Sequence, residues 1–311
     1  MNSKKQLIIV GAIGLLLVVT AYSLQDKKAQ VEDVASDTSE EKVDEVIEEE
    51  KDPNSPTALE IGVELGTDGT VVAVDSSGIA ADGPALINFK TDGNSVYTIA
   101  VPSMGLPNCV AANQIADVSD IVPGDRVSIR GKTDEEGRIV PCESDTHQLT
   151  VKGVYKNEKV GLDFAFLKSP NGYLLQTEGD QLSDDSSFVA GAVLMNKKEA
   201  EEMLLSDVPR EFPPAIRIRV YNNPEKLLPL EWTKQKTVDS NYEFALAEPV
   251  EITVGKENAV GYTTDGLYMS DTYVVGYGDY ILIVTGEYVD TESAIFTDLE
   301  QLVDTITFTR A

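Results

Sequence analysis

Few side chains in this sequence could do redox, metal or nucleophilic chemistry. The chain holds two cysteines and one histidine, which excludes a Cys/His zinc ribbon or finger, a four-cysteine cluster and a multi-histidine metal centre. Cys109 and Cys142 show neither a CxxC spacing nor a nearby base that would generate a thiolate, so a structural disulfide is expected of them. His147 closes the acidic stretch Glu143-Ser144-Asp145-Thr146-His147 and reads as a solvated loop residue. Val101-Pro102-Ser103-Met104-Gly105 lacks the first glycine of a nucleophile elbow. A pair of carboxylates can hydrolyse a glycosidic bond without histidine, but among 53 acidic residues no spacing singles out a pair. Asp68-Gly69, Asp82-Gly83, Asp92-Gly93 and Asp265-Gly266 read as turns, since none carries the oxygen ligands of a calcium loop. No catalytic residue, metal ligand or cofactor is expected.

Tyr262, Tyr268, Tyr273, Tyr277 and Tyr280, followed by Tyr288, crowd a series of hairpins. Tyrosine joins an apolar ring to a polar tip, so these residues are the candidate binding face for a glycan or peptide. Tyrosine is also a good strand residue on packing grounds alone.

What must position these groups is a 311-residue chain with room for one to three domains. Its 25 basic residues stand against the 53 acidic ones, a formal charge of −28. Nucleic acid as a partner is excluded, because phosphate binding needs clustered Lys and Arg. Lys4 and Lys5 precede the apolar run Leu7–Tyr22, which reaches Leu24 if Ser23 is included. That length falls between a signal-peptide core and a full membrane span. Residues 1–25 are expected to be a single-pass membrane anchor, in contact with the bilayer through residues 7–24 and with the bulk of the chain outside the cytoplasm. The alternative is secretion after signal cleavage near Ser23. Residues 26–56 carry 12 acidic residues and 4 lysines and read as a solvated, self-repelling linker.

In residues 57–153 short strand patterns come at close spacing: Val71–Asp75, Ala85–Phe89, Val96–Val101, Arg126–Arg130, Arg138–Cys142 and Leu149–Val151. Ala111, Ala112, Ile115 and Ala116 predict a helix within Asn108–Val118. Three strands, a helix and two strands is the order of an OB-fold barrel. From Ala58 to Thr150 the net charge is −9, and Arg126, Arg130 and Arg138 read as solvent-facing strand positions. The run IVPGDRVSIRGKTDEEGRIVPC also resembles OB-type domains of exported bacterial proteins.

Residues 154–311 mix strands and helices. Asn196 and Glu199 form an N-terminal capping signature. Ala215–Tyr221 alternates as a strand, Pro224–Lys236 reads as a helix interrupted at Pro229, and four strands between Val250 and Gly286 lead into a helix over Thr291–Val303. An antiparallel sheet with helices on one face is α+β. This order is similar to the PsbP/Mog1-like fold, and GLYMSDTYVV followed by GDYILIVTGEY resembles uncharacterised membrane-anchored bacterial proteins. The expected class is therefore an N-terminal membrane helix plus two domains, an all-β OB-like barrel and an α+β domain. The resemblance implies a non-catalytic accessory module outside the cytoplasm. The function expected is a membrane-tethered binding or scaffolding protein with an envelope protein or glycan as ligand. The alternatives are a structural envelope component assembling through sheet edges and a carboxylate-based hydrolase.

Overall fold

The computed structural model describes residues 55–102, 109–178, 187–205, 211–236 and 240–309. Residues 51–311 form one compact unit. Its first sheet begins with β1 (Glu64–Asp75), β2 (Ala85–Lys90), β3 (Val96–Val101), β4 (Arg126–Thr133) and β5 (Ile139–Val140). β1 serves two neighbours. Its first part, Glu64–Thr70, pairs with β4, and its second part, Thr70–Asp75, pairs with β2. The ring β1-β2-β3-β5-β4 therefore closes on itself, which removes its open edges. The strands bury alternate residues, as a sheet with one inward face must. Val71, Ile87, Phe89, Ile99, Val127, Ile129 and Ile139 fill the interior.

Asp68-Gly69, expected as a turn, lies in the middle of β1 instead. The glycine is needed for packing: a Cβ there would sit 2.6 Å from the Lys90 carbonyl oxygen and from the Phe89 ring. The helix expected within 108–118 is also replaced. Ala112–Gln114 and Val118–Asp120 are single 3₁₀ turns. Between them Ile115 bridges to Leu149 in extended conformation. Asp117 caps the second turn through the Ser119 amide. The apolar residues here are held by the barrel interior, so no helical face is required.

Strand β6 (Gln148–Asn157) continues the first sheet into β7 (Leu162–Ser169). Leu149 and Val151 belong to the barrel interior, whereas Leu162, Phe164 and Phe166 of β7 belong to a second, larger core. One continuous strand thus runs through position 153 and links the two cores. The second sheet contains β8 (Tyr173–Glu178), β9 (Phe188–Asn196), β10 (Ala215–Asn222), β11 (Val250–Val254), β12 (Glu257–Asp265), β13 (Met269–Tyr277) and β14 (Tyr280–Tyr288). Its order is β11-β12-β13-β14-β10-β9-β8. A two-residue strand, β15 (Thr307–Phe308), returns to β7 in the first sheet.

Among the described residues three α-helices pack on this framework: α1 (Lys197–Leu204), α2 (Pro229–Gln235) and α3 (Ala294–Thr305). The Asn196 side chain caps α1 by accepting from the Lys198 and Glu199 amides. α2 starts at Pro229, where the ring interrupts nothing, because the first helical position has no hydrogen-bonded amide to lose. α3 buries Ile295, Leu299, Leu302 and Val303 against Leu282, Val284, Ile216 and Ile218. At about 1.5–3 kcal/mol for each buried aliphatic side chain, this helix is a principal support of the larger core.

The expected fold class needs correction. The described residues are mostly β-sheet, with fifteen strands and three short α-helices. The helices do not share one face of the second sheet. Leu282 and Val284 point to α3, while the alternate residues Ile281 and Ile283 pack with Trp232 of α2 on the opposite face. No helix among the described residues is long and apolar enough to cross a membrane. The run 7–24 expected to do so lies outside the described residues, as do most of the acidic linker and residues 103–105.

Candidate functional site

β11 is the edge of the second sheet, paired with β12 and with no strand partner on its outer side among the described residues. The two strands are joined by Gly255-Lys256, with φ of 55° and 75°, the left-handed pair that a tight two-residue hairpin requires. In such a hairpin the flanking pair Val254–Glu257 is hydrogen-bonded, and bonded and non-bonded pairs alternate from there. The amide and carbonyl groups of Glu251 and Thr253 therefore point away from the sheet. Val250 and Ile252 present their side chains to the α3 face, and Glu251 and Thr253 to the α2 face.

A groove lies on each side of this edge. On the α3 face the helix covers β14, β10 and β7 but stops short of β11–β13. Gly261 lies between Val250 and Tyr273 in the paired register and contributes no side chain. The result is a shallow groove of about 670 Å³, lined by Leu246, Val250, Ile252, Tyr273, Tyr288 and Phe296. Val250 is 64% exposed and Leu246 60%, so apolar surface stands open here. The Tyr288 and Phe296 rings meet edge to face, with centroids 5.3 Å apart. Asp271 accepts a 2.6 Å hydrogen bond from the Thr263 hydroxyl. Burial, with the Asp271 charge and hydrogen bond, pushes the Tyr288 phenol up to about 12. Burial, then Asp271, Glu300 and Asp304, raises the Tyr273 phenol as well.

On the α2 face the second groove, about 540 Å³, is bordered by Leu228, Pro229, Glu231, Glu251, Thr253 and Asn258. Among the described residues neither groove has a Lys or Arg in its lining. Glu248, at the rim of the first, is matched by Lys234 at 3.5 Å.

The five tyrosines singled out by sequence are not brought together. Tyr273, Tyr277 and Tyr280 share the α3 face. Of these only Tyr273 lines the groove; Tyr277 packs against Phe308 and against Tyr280 at the hairpin end. The Tyr277 hydroxyl is buried without a hydrogen-bond partner among the described residues. Tyr262 faces the α2 side, where its hydroxyl donates to the Ser240 carbonyl at 2.6 Å. Tyr268, in the next hairpin, donates to the Phe212 carbonyl. Val250, Ile252, Phe296, Glu231 and Glu251 were not singled out. Gly261 alone left a sequence signal, since a glycine inside an alternating strand marks a missing side chain or a close approach.

Cys109 and Cys142 form a disulfide, with Cα atoms 4.9 Å apart. His147 is fully buried, against the expectation of a solvated loop residue. Its Nδ1 accepts from the Glu143 amide at 3.2 Å, and its Nε2 faces the Glu64 carboxylate at 3.0 Å. Arg126 is matched by Asp92, and Arg138 by Asp134 and Glu136. Between β7, β8 and α3 the Tyr173 hydroxyl donates to Asp298 at 2.7 Å, beside a cavity of about 20 Å³. That is room for about one water molecule. No group of three or more His, Cys, Asp or Glu able to hold a metal ion occurs among the described residues.

No family model matches the chain, and no curated protein matches it. Among solved structures, a crystal structure from Bacteroides thetaiotaomicron VPI-5482 is similar at 10% identity, over 50% of this chain and 48% of that one, with a TM-score of 0.31. The chain spans about half the length of that protein, a likeness too distant to say anything of either one's role.

Proposed function

We propose that this chain is a membrane-tethered, extracytoplasmic binding protein that engages an envelope partner along β11. The observation that carries the reading is an unpaired edge strand with an open groove on each face. The apolar run at residues 7–24 supports the tether. The disulfide supports an oxidising compartment, because such bonds are rare where thiols are kept reduced.

A photo-crosslinking residue at Val250 in the full-length chain, expressed in its own envelope, tests this. A discrete crosslinked partner is expected, and it should be lost in Gly261→Val, which fills the groove. The glycine backbone is not left-handed, and a Cβ there would meet Ile252 Cδ1 at 3.3 Å, so the variant should still fold. Crosslinking that ignores the groove-filling substitution would refute the reading. β8 is the other edge of the same sheet, with no strand beyond it among the described residues, and this favours a second reading, assembly of copies edge to edge. A crosslink from Val250 to β8 of another copy would establish that instead.

A further inference from the structure

We infer that the occupant of this site is an extended polypeptide that adds to β11 as a further strand, with apolar side chains alternating with Lys or Arg. The inference rests on the binding reading above and specifies its partner. An edge strand sets out its free amides and carbonyls at the spacing of another extended backbone, and here Glu251 and Thr253 turn theirs outward. The residues of an added strand would point alternately to the two faces. Those on the α3 face would meet Val250, Ile252 and the Tyr273 and Phe296 rings. Those on the α2 face would meet Glu231, Glu251, Thr253 and Asn258.

The two faces thus ask for different chemistry at a period of two residues. Apolar contact suits the first, whose two carboxylates are already engaged, Asp271 by the Thr263 hydroxyl and Glu248 by Lys234. The second presents the Glu231 and Glu251 carboxylates with no Lys or Arg among the described residues of the lining, so a cation there is favoured and an anion repelled. The chain's charge of −28 steers a basic partner toward it and keeps acidic ones away. A second copy of the chain fits poorly. Its other open edge, β8, reads Tyr-Leu-Leu-Gln-Thr-Glu and carries no basic residue.

Fluorescence anisotropy of labelled peptides of about seven residues, the length of a short strand, against the full-length protein provides the test. A peptide alternating valine and lysine should bind about tenfold more tightly than one alternating valine and glutamate, or one with the same valines and lysines in two blocks. Equal binding of the blocked peptide would mean general attraction to an acidic protein, and would overturn the inference. N-methylation of the alternate amides that face β11 should abolish binding, whereas methylation of the other set should not. This comparison leaves the protein untouched. Thr253→Pro removes one outward donor while sparing the bonds to β12, and it too should lose the peptide. If both methylated sets bind alike, strand addition is wrong. If Val250 crosslinks depend on the groove but no peptide shows a pattern preference, the binding reading stands and this inference falls. If the crosslinks do not depend on the groove, the binding reading itself falls.

Discussion

Replacing Cys109 and Cys142 together with alanine cuts the only covalent link that closes a loop in the described barrel. The loop spans a sequence separation of 33. In the chain-entropy treatment, opening it returns about 12 cal/mol/K to the unfolded chain, or about 4 kcal/mol at 25 °C. The bond also holds Cys109, 6% exposed, against Ala111 and Ile115 in the barrel interior, so lost packing adds to the entropy. Against a typical total of about 5–15 kcal/mol, that is a large fraction. Urea unfolding of the full-length chain, followed by far-ultraviolet circular dichroism and by Trp232 fluorescence, measures it. Trp232 is the only tryptophan and lies in α2 on the second sheet. Both signals should shift together, because β6 links the two cores and residues 51–311 are one unit. Wild type reduced with dithiothreitol should reproduce most of the loss. A loss under about 1 kcal/mol would refute the loop-closure argument. A large loss in the double variant with none on reduction would assign the effect to sulfur packing.

Other perturbations test other parts of the structure. Burial raises the Asp298 carboxyl above 3.8, against the opposing hydrogen bond from Tyr173 and the charge of Lys152. The folded state therefore holds that proton more tightly than the unfolded one; the stability it confers is complete below 3.8 and is lost as pH rises through the elevated value. Asp298→Asn should melt higher than wild type at neutral pH, with the gap closing on acidification; a gap that widens in acid would refute the assignment. His147→Ala leaves the Glu143 amide without its acceptor and opens a buried space, at a cost of about 2–4 kcal/mol by thermal unfolding. Glu64→Gln should cost less than about 1 kcal/mol, because that side chain is 61% exposed. Gly286→Val brings a Cβ to 2.7 Å from Leu299 Cδ2 and 3.2 Å from its Cβ, costing about 1–3 kcal/mol. Combined with Leu299→Ala it should cost less than the sum of the two changes, as a double-mutant cycle would show.

Much of the strand framework can be read from residue alternation. The stretch Ile216–Tyr221 buries Ile216, Ile218 and Val220 toward one core, as its pattern requires, and the Asn196 cap is where its residue type places it. Signals failed where one segment answers to two neighbours. The first part of β1, Glu-Leu-Gly-Thr-Asp-Gly-Thr, looks like a loop because it is polar and rich in glycine, yet its pairing with β4 holds it straight. The alanines near 111–116 suggest a helix because small apolar residues fit a helical face or a tight barrel interior equally well. The burial of His147 was illegible because its ring meets groups far off in the sequence, Glu64 lying 83 positions away. Edge position is likewise a property of the assembled sheet: nothing within Val250–Val254 says that only one side will be paired, so the tyrosines drew attention that belongs to Gly261 and its neighbours.

The larger core is sealed by α3, and β15 then returns to pair with Leu162 and Asp163. On the ribosome both segments emerge after every strand they cover. Until then the apolar faces of β7, β10 and β14 have no helix to dock against, and the nascent chain cannot complete that half of its fold. Contacts this distant along the chain also form slowly once they can form. The delay leaves a window in which those apolar faces stand open to solvent.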